Sequence, residues 1–170
     1  MACVGDSIQT SQEANNTLDN RGAVNNVGQS FIIPDDATIC AASFFGGKGG
    51  SSGIFNVELR SGSYGGTVIA TTSSIDSGTL SSYLSPVWQK IEFNATVDLT
   101  AGTTYYLRFN LLSGSSNDII RLGRNSNVYA DGQWYFNATA FSSLDLQFRI
   151  HGVAASGGTA YRRLQPFAGL

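Results

Sequence analysis

The stretch Ile54–Ser61 reads IFNVELRS, and its alternation decides the class of fold. Phe55, Val57 and Leu59 point one way while Asn56, Glu58 and Arg60 point the other, the period of a half-buried strand. The same period returns in TTYYLRFNLL, residues 103–112, with Tyr105, Leu107, Phe109 and Leu111 opposite Tyr106, Arg108 and Asn110. In VWQKIEFNATVDL, residues 87–99, it sets Val87, Gln89, Ile91 and Phe93 against Trp88, Lys90 and Glu92. In LDLQFRI, residues 144–150, it sends Leu144, Leu146, Phe148 and Ile150 inward and leaves Asp145, Gln147 and Arg149 to water. Each such sheet has one buried and one solvated face, so two sheets must pack against each other.

Working outward, GQSFIIP is a short apolar strand closed by Pro34 and the turn formers Asp35 and Asp36. ATICAASFF alternates with Ile39, Ala41, Ser43 and Phe45 on one side, and GGKGGSSG follows as a hairpin-like connection. After the turn SGSYGG come TVIAT, a Ser-rich loop, DIIRLGR, the turn YADGQ and the run WYFN. About nine short strands separated by turn signals predict an all-β, two-sheet antiparallel sandwich, jelly-roll-like, spanning residues 27–152. Helical periodicity is nowhere sustained.

The two ends read differently. Residues 1–26 are polar with no sustained period, an N-terminal arm with Leu18, Val24 and Val27 as small anchors, or a simple unstructured end. Residues 153–170 form a glycine-rich C-terminal arm whose Tyr161, Leu164, Phe167 and Leu170 either anchor in a neighbour or fold back over their own sandwich. The start has neither a basic nor an apolar segment of the signal-peptide kind, and no apolar run approaches membrane-helix length.

Composition narrows the setting. Charged residues make up 13% of the 170 residues, against about 25% in soluble domains at large, and glycine is abundant at 20. A neutral, hydroxyl-rich surface of this kind points to a virion or extracellular surface. With a net charge of -2, lysine only at Lys48 and Lys90, and Arg162-Arg163 as the one basic pair, nucleic acid is not an expected partner. Membrane is not expected either. Two cysteines, Cys3 and Cys40, either form a disulfide tying the amino-terminal arm to the sandwich or remain two free thiols.

Catalytic chemistry is sparse. His151 is the sole histidine and no GxSxG elbow accompanies it, so it reads as a surface or edge residue. GGKGGSS lacks the order of a phosphate loop and reads as a turn. Glu58 and Glu92 could neighbour each other as a glycosidase pair, but Arg60 and Lys90 beside them make charge pairing the simpler account. No catalytic residues and no obligate cofactor are expected. Calcium is the one cofactor with candidate ligands, Asp35, Asp36, Asp118 and Asp131, all in loops or at strand ends. A glycan site would draw on Trp88, Tyr106, Tyr129, Asp131 and Trp134, with Tyr135 as a further ring and Asn110, Arg124, Asn125 and Asn127 as polar contacts. Asn15, Asn94 and Asn137 begin N-x-T sequons.

Three strings, VGQSFIIPDDATI, FNVELRSGSYGGTVIAT and VDLTAGTTYYLRFN, carry a resemblance over about two thirds of the chain. It resembles the jelly-roll-like sandwiches of the bacterial choice-of-anchor surface-protein class and related phage tail and virion modules. The resemblance implies a non-catalytic surface or appendage module, in some cases a sugar binder. The expectation is therefore a structural protein of a virion, tail or filament, assembling with other protein subunits as a homo-oligomer through its terminal arms. The alternative is a carbohydrate-binding or adhesive module of an extracellular protein.

Overall fold

The computed structural model describes residue 3 and residues 7–10, 17–19, 26–50, 52–114, 119–126 and 129–152. Fourteen strands lie within these residues: β1 (Ser7–Thr10), β2 (Thr17–Asp19), β3 (Asn26–Ile32), β4 (Ala37–Lys48), β5 (Ile54–Ser61), β6 (Thr67–Thr71) and β7 (Ile75–Asp76) come first. Then follow β8 (Val87–Leu99), β9 (Thr104–Ser113), β10 (Ile120–Ser126), β11 (Trp134–Phe136), β12 (Thr139–Phe141), β13 (Leu144–Leu146) and β14 (Phe148–Gly152). They form two antiparallel sheets that pack as a sandwich. In sheet I, β4 runs between β8 and β14, β1 lies outside β14, and β10 joins the end of β4 to β13 and β2. Sheet II has the order β12-β11-β3-β9-β5-β6, with β7 also on β5.

The alternating strands behave as their period dictates. Phe55, Val57 and Leu59 of β5 and Tyr105, Leu107 and Phe109 of β9 are buried. Opposite them, sheet I supplies Ile39, Ala42, Phe44, Phe93, Leu122, Phe148 and Ile150. Phe44 meets Phe109 edge-on at 5.1 Å, and Phe31 meets Phe148 at 5.7 Å. Each such ring removed from water contributes about 2–3 kcal/mol, which makes this aromatic seam the main bond between the sheets.

Two strands depart from the simple alternation. In β4 the expected face of Ile39, Ala41, Ser43 and Phe45 is split, because the register shifts between Ile39 and Ala41 against both β8 and β14. This bulge lets Ala42 and Phe44 join Ile39 in the core and turns Ala41, Ser43 and Phe45 to the outer side. The expected connection at 46–53 is likewise not a hairpin, since it carries the chain from sheet I to sheet II.

The second departure corrects LDLQFRI: Asp145 and Gln147 are buried, not solvated. Gln29 crosses from sheet II, donating through Nε2 to Asp145 Oδ1 at 2.8 Å and accepting at Oε1 from the Leu146 amide at 2.9 Å. The other carboxylate oxygen of Asp145 accepts from the Tyr129 amide at 2.9 Å. Gln147 lies between β13 and β14, its amide donating to the Gly123 carbonyl while its own carbonyl accepts from the Phe45 amide. Three strands meet at that residue. The polar side chains are buried here because the protein supplies the hydrogen bonds water would otherwise give.

The segment expected as an N-terminal arm contributes β1 and β2 to the edges of sheet I. The expected C-terminal arm, residues 153–170, lies outside the described residues.

Candidate binding face

The solvent side of sheet II is built by the outward half of each alternating strand. Register places Arg60 beside Tyr106, Glu58 beside Arg108 and Asn56 beside Asn110. Glu58 accepts from Arg60 Nη2 at 2.8 Å and lies 3.8 Å from Arg108 Nε. Asn110 donates to Asn56 Oδ1 at 3.3 Å, and Asn56 donates to Thr71 Oγ1 at 3.1 Å. The face therefore carries amides, a hydroxyl and two guanidiniums around one carboxylate, each held by a strand.

Three tyrosines complete it. The turn after β5 folds Tyr64 back across the sheet, over β3. Gly28 makes that possible, since a Cβ there would strike the Leu107 carbonyl oxygen and come within 2.8 Å of the Tyr64 ring. Tyr64 stacks on Tyr135 of β11, with centroids 4.6 Å apart and planes 7° from parallel. Tyr106 stands edge-on to both, at 6.4 and 5.7 Å, and the Arg108 guanidinium lies 5.6 Å from the Tyr64 centroid. Tyr106 and Tyr135 remain half-buried, while Tyr64 is buried and its hydroxyl has no hydrogen-bond partner among the described residues. Burial pushes the Tyr64 hydroxyl well above the ordinary tyrosine range, against the opposing pull of Arg108 and Arg60. Burial, then Tyr106, raises Tyr135 as well. Both hydroxyls are neutral near pH 7 and can donate as well as accept.

Of the rings expected to form an aromatic platform, Tyr106 and Tyr135 come together on this face, with Asn110 among the polar groups beside them, and the others do not. Trp134 is 1% exposed, packed between Phe136 and Phe141 in the core, so its ring has no face to offer a ligand. Arg124 lies over that ring at 5.6 Å. Tyr129 is buried too, its hydroxyl accepting from the Ile32 amide and donating to the Ile32 carbonyl. Trp88 sits on the opposite sheet, against Phe45 and under the Arg149 guanidinium at 3.8 Å. Asp131 is exposed in the turn before β11. Of the five, only Tyr106 belongs to the face. Asn127 and the side chain of Asn125 lie outside what is described.

Tyr64 was hidden in SGSYGG, which reads as a turn. The available signal was a lone aromatic among glycines next to the most strongly alternating strand.

Other candidates fall elsewhere. Asp36 Oδ1 accepts from the Ala101 amide at 2.7 Å, tying two turns together, and Asp35 is exposed beside it. Asp118 lies outside the described residues, among which no group of three or more His, Cys, Asp or Glu could hold a metal ion. Val27 is a core residue, lining an apolar recess with Phe55, Phe109 and Ile119, and so is no free anchor. Leu18 lies in β2, paired with Gly123. Val24, Tyr161, Leu164, Phe167 and Leu170 lie outside the described residues. Cys3 and Cys40 form a disulfide with Cα atoms 5.7 Å apart. His151 Nε2 lies 2.7 Å from Ser43 Oγ, but Ser43 is only 3% exposed and out of reach of a substrate. Glu58 and Glu92 stand on different sheets, and each pairs with a neighbouring base, as charge pairing requires.

No protein-family model matches the chain, and no curated protein matches it. The family resemblance therefore rests on the three quoted strings alone. Among the described residues no helix is long and apolar enough to cross a membrane.

Proposed function

We propose that this chain is a non-catalytic adhesive module of a virion, tail, filament or other extracellular surface, and that the outer face of sheet II binds carbohydrate. One observation carries the reading: Tyr106 and Tyr135, backed by the buried ring of Tyr64, gather beside fixed amide and guanidinium groups. Sugars present just such a mixture, C–H faces that pack on rings and hydroxyls that need placed donors and acceptors. The strands hold these groups in position before any ligand arrives, which lowers the ordering cost of binding. The burial of Ser43 and the separation of Glu58 from Glu92 argue against hydrolysis at either place.

The test is an NMR titration with soluble neutral oligosaccharides of hexose and N-acetylhexosamine. Saturable shifts in the amides of β3, β5, β9 and β11 support the reading. Shifts confined to sheet I around Trp88, or none at any concentration, count against it.

A second reading, assembly with other subunits through the chain ends, is favoured by the position of β1 and β2 as edge strands.

A further inference from the structure

Among the described residues, the N-terminal strands join the sandwich through two short ladders and one covalent bond. β1 makes three register pairs with β14, Ser7 with His151, Gln9 with Ile150 and Thr10 with Arg149, and is irregular between Ser7 and Gln9. β2 makes three with β10. Ladders this short are marginal without support. A covalent support is at Cys3, disulfide-bonded to Cys40 on β4, with the Cys3 carbonyl accepting from Lys90 Nζ at 2.6 Å. Cys3, Cys40 and Ala41 form a small buried cluster of their own, apart from the main core. The clip is thus separable: opening it disturbs none of the aromatic seam between the sheets.

What lies beneath β1 is the outer edge of β14, a row of backbone donors and acceptors that any matching strand can pair. The strand that matches it best is β1 itself, and every copy of the chain carries one. We propose that β1 and β2 exchange between two copies of this chain, and that the Cys3–Cys40 disulfide locks them in the closed, self-paired form. The contacts are the same whether β1 comes from its own chain or from a second one. The balance between the two forms is therefore set by concentration and by the lock, not by new interactions. This inference stands independently of the carbohydrate face on the other sheet.

The chemistry balances. A dithiol reductant delivers two electrons and two protons to the sulfur–sulfur bond, leaves thiols at Cys3 and Cys40, and itself becomes a disulfide. When oxidised glutathione is then supplied, Cys3 of one copy and Cys40 of the other lose two electrons and two protons to it. They form an intermolecular disulfide and release two glutathione thiols.

The experiment uses the full chain without substitution. Unlabelled and 15N-labelled protein are reduced with dithiothreitol, mixed at high concentration, re-oxidised with oxidised glutathione, digested, and the Cys3–Cys40 linked peptide is weighed. Exchange predicts linked peptides joining one light and one heavy half, approaching the random-pairing proportion, in a species of twice the chain mass by light scattering. A mixture kept oxidised throughout gives all-light and all-heavy peptides only. The proposal is overturned if the reduced and re-oxidised sample gives only unmixed Cys3–Cys40 peptides. It is equally overturned if mixed products are dominated by Cys3–Cys3 and Cys40–Cys40 links, the mark of random collision. Glycan binding at sheet II bears on neither result.

Discussion

Tyr64 concentrates the account into one side chain. Its ring is packed on Tyr135 and cradled by Gly28, yet its buried hydroxyl has no partner among the described residues, an arrangement that costs about 1–3 kcal/mol. Tyr64→Phe keeps the ring and removes the hydroxyl, so chemical denaturation of the variant is expected to show a gain of about 1 kcal/mol. Glycan affinity in the same variant is expected to stay within about twofold, because the buried hydroxyl is out of a ligand's reach while the half-buried rings of Tyr106 and Tyr135 remain. A variant that loses stability would show that the hydroxyl is hydrogen-bonded in the folded protein. The hydroxyl also carries a pH signature. Its folded pKa lies above the unfolded value near 10, so the folded state keeps a proton that the unfolded chain releases. Stability from this group is complete below pH 10 and is lost as pH rises beyond it, and Tyr64→Phe removes that part of the alkaline loss. Gly28→Ala acts from below: the added carbon meets the Leu107 carbonyl and the Tyr64 ring, and a cost of about 1–3 kcal/mol is expected from thermal melts. Nothing within SGSYGG announces any of this, because the partners of Tyr64 come from β3, β9 and β11.

At the scale of the element, what was legible depended on whether a strand's environment follows from its own period. IFNVELRS and TTYYLRFNLL were readable because one face of each meets the core and the other meets water. LDLQFRI was misread at Asp145 and Gln147, since the group that accommodates Asp145 is Gln29, 116 residues away in sequence. Asp145→Ala strips acceptors from both Gln29 and the Tyr129 amide, and a loss of about 3 kcal/mol in urea denaturation is expected. A change within about 0.5 kcal/mol would show that water replaces the carboxylate, against its complete burial. β4 was misread for another reason: a bulge at Cys40 shifts the phase, and no local residue signals a bulge. The disulfide closes 37 residues, and its loss through Cys3→Ser is expected to lower stability by about 3–4 kcal/mol in the same measurement. Spacing alone left that pairing open, because it depends on where β4 bends and not on the distance along the chain.

For the whole molecule, two antiparallel sheets joined by an aromatic seam divide the surface into two outer faces of different character. Sheet I turns outward a tryptophan under an arginine and the disulfide-clipped N-terminal strands. Sheet II turns outward tyrosines, amides and a shared carboxylate. The sandwich was legible from alternation and turns. Which aromatic residues share a face was not, because that follows from strand order, and Trp88, Tyr106 and Trp134 occupy one outer face, the other outer face and the core between them.

The central claim, that sheet II is an adhesive face for carbohydrate, is tested most directly by a glycan array probed with the wild-type chain, Tyr135→Ala and Trp88→Ala. The account predicts a defined set of bound glycans for the wild type, retained in Trp88→Ala and weakened at least about tenfold in Tyr135→Ala. Wild-type binding that survives Tyr135→Ala and disappears in Trp88→Ala, or no binding across the array, would contradict it.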